Sequence, residues 1–165
     1  MKPLNLKRKI DAMKRLKDRL PKQLANDAVL HFRKSFQVGG FEDRILEKWE
    51  LPQRMQKNEK GTRYLYSGHA HWDKKKKYKG FTRADRTRAV LVKTGNLRTS
   101  VRVLRTSPGE AIIGSSLPYA QVHNDGGKMK NGKKMPQRQF VGDSKVLTAG
   151  MKKKISGEIL KALKI

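Results

Sequence analysis

Two histidines one residue apart, His69 and His71 in SGHAHWD, with Asp73 close behind, are the part of this sequence best suited to hold a metal ion. In an extended segment a His-x-His pair turns both imidazoles to one side, and two imidazoles with a carboxylate are ligand types that zinc accepts. The pattern stops short of a site. The chain has four histidines and no cysteine, no third ligand is spaced to complete the coordination, and Lys74 to Lys77 follow at once. So much positive charge opposes a cation, and no metal is expected. The missing cysteine also excludes disulfides and thiolate metal sites.

His123, in VHNDGG, is of the residue type that serves as a general base. Its place at the end of an expected helix favours a structural role. An imidazole there can hydrogen-bond the last carbonyls and, when protonated, complement the helix dipole. Ser115 and Ser116 lie nearby without a nucleophile-elbow pattern. The glycine pairs at 39–40 and 126–127 match neither GxxxxGK[ST] nor GxGxxG. No catalytic residue and no cofactor is assigned, and an enzyme is not expected.

The remaining chemistry is charge. Lys and Arg number 40 against 14 Asp and Glu, a formal net charge of +26 on 165 residues. Such an excess favours nucleic acid, a membrane surface or acidic faces of partner proteins, and it repels itself within a compact monomer. Basic tracts run from Lys74 to Lys79 and from Lys128 to Lys134. Trp72, Tyr78 and Phe81 interleave the first and could stack on bases. Lys74, Lys75, Lys76, Lys77 and Lys79 are therefore candidate contacts for nucleic acid, read without regard to its sequence. The same tract also reads as a solubilising loop, or as one that orders against an acidic partner. No zinc-finger, RNA-recognition or homeodomain pattern decides between these readings.

These residues need a frame to position them. The length fits one domain spanning 1–165 with a modest core. Leu6, Ile10, Met13, Leu16 and Leu20 recur at helical spacing, and so do Leu24, Ala28, Phe32 and Phe36. A break or kink is predicted between the two sets, at Pro21. Phe41, Ile45 and Trp49, four apart, predict a short helix ending before Pro52. From 53 to 93 the pattern dissolves into a basic extended loop or arm. Order returns with a turn at Gly95 and a hairpin: strands over 101–106 and 111–114 joined by Ser-Pro-Gly. Pro118 starts a short helix in which Tyr119, Ala120 and Val122 supply a buried face, and the glycines after Asp125 stop it. Asp143 or Ser144 caps a last helix carrying Val146, Leu147, Met151, Ile155, Ile159 and Leu163. The expected fold class is α+β: a small antiparallel sheet packed against a long N-terminal helical region and a C-terminal helix. No apolar run approaches the about 20 residues of a spanning helix, and MKPLNLKRKI lacks the apolar core of a signal peptide. A soluble protein made and used in a cytoplasm is expected, with no membrane partner.

The order of the later pieces resembles the phage virion morphogenesis family, which includes neck and tail-completion proteins of tailed phages. VKTGNLRTSV at 92–101 is similar to that family's Thr/Ser-Gly-x-Leu-Arg-x-Ser element leading into a strand. AIIGSSLPYAQVHNDGG at 111–127 is similar to its strand followed by a Tyr-Ala-x-x-His-x-x-Gly helix, and MPQRQFVGDS at 135–144 to its Pro-x-Arg-x-Phe-x-Gly segment. FQVGGFEDRILEKW resembles its earlier helix, glycine and tryptophan. The insert at 53–93 is richer in lysine than the family pattern.

The resemblance implies a structural virion protein at the head–tail junction, made in the host cytoplasm and assembled as a homo-oligomeric ring. Its partners would be portal or connector proteins and tail-terminator or tail-tube proteins, with part of the charge facing the passing DNA. It also implies that Gly95, Leu97, Arg98, Tyr119, Ala120, His123, Gly126, Pro136, Arg138 and Phe140 hold the fold. In that reading Gly95 positions Leu97, Tyr119 and His123 fix the short helix on the sheet, and Arg138 and Phe140 anchor the crossing into the last helix. The alternative is a sequence-independent nucleic-acid-binding protein that uses the basic arm.

Overall fold

The spine is α1 (Leu6–Val38), 33 residues and about 50 Å long. The computed structural model describes residues 6–52, 88–128, 132 and 134–164. The basic arm lysines Lys74 to Lys77 and Lys79, and the His69, His71 and Asp73 cluster, lie outside these residues.

Of the break or kink expected at Pro21, the break does not occur: α1 runs through the proline as one helix. The reason is a splint. The C-terminal helix α4 (Lys145–Leu163) packs antiparallel along α1 and grips it on both sides of the proline. Arg19 pairs with Glu158 at 2.8 Å before Pro21, and Asp27 with Lys154 at 2.5 Å after it. A small cluster of Ala12, Leu16 and Ala162 closes the far end. Tertiary packing on both flanks outweighs the one backbone donor that proline lacks. Leu6 and Ile10, expected on the buried face, are exposed because they precede this cluster.

Two glycines end α1. Gly39 adopts φ 66° and returns its amide to the Ser35 carbonyl at 2.9 Å. A hairpin follows, β1 (Gly40–Glu42) and β2 (Leu46–Lys48), where a short helix was expected. A Cβ at Gly40 would collide with the Glu47 carbonyl, so the glycine sets how closely these strands approach. Phe41 and Trp49 are buried on either side of the turn, while Ile45 is 74% exposed at its tip. A helix would have put all three on one side.

The second half is assembled from short pieces. Residues 90–92, expected within the extended arm, pack on the core, with Val90 buried. Then come α2 (Asn96–Ser100) and the expected hairpin, here β3 (Arg102–Ser107) and β4 (Glu110–Gly114). Its register shifts between Val103 and Arg105, and one face packs on α1. Next are α3 (Ala120–Asp125) and the two-residue strands β5 (Gly127–Lys128) and β6 (Lys134–Met135) at the base of the second basic loop. The result is α+β, with three two-stranded antiparallel sheets among the described residues. One core joins both halves: Phe32, Phe36, Phe41 and Trp49 meet Leu97, Val101, Ala120 and Phe140.

Candidate functional site

The motif residues converge where segment 136–144 crosses from β6 to α4. This segment makes no regular structure, so its polar groups must find partners elsewhere. On one side the end of α3 supplies them. The Asn124 side-chain carbonyl accepts the Phe140 and Val141 amides at 2.9 and 3.0 Å, and the His123 backbone carbonyl accepts the Arg138 amide at 2.9 Å. On the other side stands the β1–β2 hairpin. Trp49 Nε1 donates to the Gln139 carbonyl at 2.7 Å, and Ser144 Oγ to the Glu42 carbonyl at 2.7 Å. Asp43 Oδ1 accepts the Lys145 amide at 2.7 Å. Ser144 also caps α4 by accepting the Leu147 amide, as a helix N-terminus requires.

Arg138 lies at the centre, 7% exposed. Its Nε and Nη2 both donate to the Glu50 main-chain carbonyl, at 3.2 and 3.1 Å. Burial lowers its pKa and the Glu50 carboxylate opposes that shift, while a guanidinium stays charged at any ordinary pH. Phe140, two residues on, is 2% exposed, with its ring centroid 5.1 Å from that of Phe36.

Gly126 makes the turn out of α3. Its φ of 73° with ψ of −166° is a region open essentially to glycine, and a Cβ there would lie 2.9 Å from the Gln137 nitrogen. Gly95 differs in kind. It takes φ 83° at the start of α2 in open space, and its carbonyl receives the Thr99 amide at 3.0 Å. That short helix buries Leu97, with Arg98 half-buried beside it.

Gly95, Leu97, Tyr119, His123 and Arg138 also line one open cleft of about 410 Å³, together with Leu91 and Val92. Leu91 is held at φ 60°, a conformation that costs a branched residue about 1–2 kcal/mol. Burial, then the nearby Arg138 charge, lowers the His123 pKa, so the neutral imidazole is favoured. Its Nδ1 is buried with no hydrogen-bond partner among the described residues, so that nitrogen does not make the carbonyl bond open to an imidazole at a helix end. Tyr119 stands edge-on to the His123 ring at 6.0 Å. Of the three residues expected to form a buried face on α3, Ala120 is buried whereas Tyr119 and Val122 are exposed. A helix of six residues is too short to bury a full stripe. Pro136 is half-buried ahead of Arg138.

Three participants were not singled out from the sequence. Arg33 on α1 donates to the Val101 and Thr99 carbonyls at 3.1 Å, tying α2 and the start of β3 to the spine. Asn124 serves as a double acceptor. Glu50 contributes its main-chain carbonyl, which no side-chain pattern can reveal.

The arrangement is a clamp: polar contacts from α3 and the first hairpin hold one crossing segment over an aromatic core. Among the described residues, no group of three or more His, Cys, Asp or Glu could hold a metal ion. Residues 46–164 match the phage virion morphogenesis family. No curated protein and no solved structure matches the chain.

Proposed function

The chain belongs to the phage virion morphogenesis family and so has a role in assembling the phage particle; from that membership we propose that it is a neck or tail-completion component, a ring that joins the head connector to the tail. The supporting observation is the division of labour among its residues. Leu97, Ala120, Arg138 and Phe140 are turned inward and hold the frame, while apolar side chains at Ile45, Leu104 and Ile112 are turned outward. The inward residues fix the geometry, and the outer surfaces make the contacts.

The positive charge fits a building block of this kind. Alone it opposes compaction, and acidic faces on portal, connector or tail-terminator proteins would relieve that repulsion and speed correct docking. Part of it would face the DNA, but a lumen lined with lysine grips phosphates tightly, and DNA must slide through during ejection. Protein partners are therefore the main recipients in this reading.

Gold-labelled antibody against this chain, applied to purified virions, tests the location. Label at the head–tail junction is expected. Label confined to the distal tail tip, or virions free of the chain, would overturn the reading.

A further inference from the structure

The far end of the α1–α4 pair stands apart from the main core. Ala12, Leu16 and Ala162 form their own small cluster there, and Met13, Leu20 and Ile159 pack against it. The apolar rows run on past this seam. Leu6 and Ile10 continue the row of Met13 at four- and three-residue spacing, and Leu163 continues that of Ile159, with Leu160 beside it. All four of these outer residues are exposed, Leu6 by 60% and Leu160 by 59%. Two antiparallel helices thus leave an uncovered apolar strip along one flank.

The charge around the strip has one sign. Residues 6–22 and 152–164 carry thirteen Lys and Arg against three Asp and Glu, a net +10. The three carboxylates belong to other faces. Glu158 lies on the opposite flank, paired with Arg19 at 2.8 Å and Lys161 at 3.0 Å, in a groove that Arg15 also lines. Asp11 and Asp18 alternate with Lys7, Lys14 and Lys22 at three- and four-residue spacing along another face of α1. Lys17, seven residues after Ile10, and Lys153, seven before Leu160, lie in line with the strip. Both are exposed, and neither makes an ion pair among the described residues.

We infer that this flank seats an acidic amphipathic helix of another virion protein, which lays its apolar stripe on Leu6, Ile10, Leu160 and Leu163 and sets carboxylates against Lys17 and Lys153. A third helix laid along an antiparallel pair buries such a strip, with anchors at i, i+3 or i+4 and i+7. Burial of the four side chains supplies the attraction, and the lysines select an acidic partner over a neutral one. A second copy carries +26 of its own and is repelled. DNA would satisfy the lysines and leave the four aliphatic side chains in water. The inference rests on the assembly role proposed above and names the face through which an acidic protein partner docks.

Photo-crosslinking in assembled particles tests it. The photoreactive p-benzoylphenylalanine replaces Ile10 or, separately, Leu160, both exposed, so either variant keeps the fold. After irradiation the purified virions are digested and the joined peptides are sequenced by mass spectrometry. Both positions should join one segment of another virion protein, with more Asp and Glu than Lys and Arg and with apolar residues at helical spacing. Lys17→Glu with Lys153→Glu should lower the yield about tenfold, by repelling those carboxylates, without lowering the melting temperature. Crosslinks to DNA, to a second copy of this chain or to a segment without the acidic excess would overturn the inference. So would no crosslink at either position, or a yield indifferent to the two lysines. Purified protein that pellets with phosphatidylglycerol vesicles through Ile10 and Leu160 would also overturn it. The junction role fails separately, through virions that form normally without the chain. Particles that need the chain but give no crosslink remove the docking face and leave that role standing.

Discussion

Arg138 and Glu50, 88 residues apart, are joined by two hydrogen bonds from one buried guanidinium to one main-chain carbonyl. The pair ties the crossing segment to the strand-2 side of the first hairpin. Nothing about Glu50 as a residue type is needed, because its carbonyl is the acceptor. Arg138→Met should therefore destabilise the protein by about 1.5–3 kcal/mol, the range for hydrogen bonds to a charged group. Arg138→Lys should recover part of this, since an ammonium lacks the planar fork that reaches one carbonyl twice. Urea unfolding of the three proteins measures the order.

Asn124 is the other half of the clamp. Asn124→Ala leaves the Phe140 and Val141 amides without their acceptor and should cost about 1–3 kcal/mol. Asn124→Asp keeps an acceptor but sets a second carboxylate beside Asp125, so its stability should fall between the two. Thermal unfolding at neutral pH ranks them.

Gly126 and Gly109 both have positive φ, at 73° and 86°, but they differ in surroundings. Gly109 sits in open space at the β3–β4 turn, while a Cβ at Gly126 meets the backbone of Met135 and Gln137. Gly109→Ala should cost about 1–2 kcal/mol for the left-handed conformation alone. Gly126→Ala should cost clearly more, because the β5–β6 arm must shift as well. Comparing the two denaturation midpoints separates strain from collision.

His123 gives a pH signature. Its folded pKa lies below the ordinary histidine value, first through burial and then through Arg138, with Arg88 and Lys93 on the same cleft wall. The unfolded chain thus binds its proton more readily. Its contribution to stability is whole above about pH 6.5 and is lost as pH falls through the lower folded value. Melting temperature should drop between pH 7 and pH 5, and His123→Gln should flatten that drop. Glu42 and Glu158, lowered by Lys34 and Lys161, act in the more acidic carboxylate window and leave this comparison clean.

What was legible in the sequence was local. The 3.6-residue spacing of Ala28, Phe32 and Phe36, the Ser-Pro-Gly turn and the Ser144 cap each encode their element within a few residues, and the structure carries all of them. The mistakes share one cause. Pro21 and the Phe41-Ile45-Trp49 spacing follow single-helix rules, and contacts between elements decided both. Packing of α4 along both flanks of the proline carries α1 across it, and the close approach of Gly40 to Glu47 makes a hairpin of the second. The anchor roles of Arg138 and Phe140 came from the family resemblance rather than from spacing, and both residues are buried at the crossing. The clamp's acceptors were hidden, because a main-chain carbonyl at Glu50 and a side-chain amide at Asn124 leave no trace in residue spacing.

The junction role itself is most directly tested by electron microscopy of lysates from phage that cannot make this chain. DNA-filled heads and finished tails lying unjoined, with joining restored on adding the purified protein, are expected. Intact, joined virions formed without the chain would contradict it.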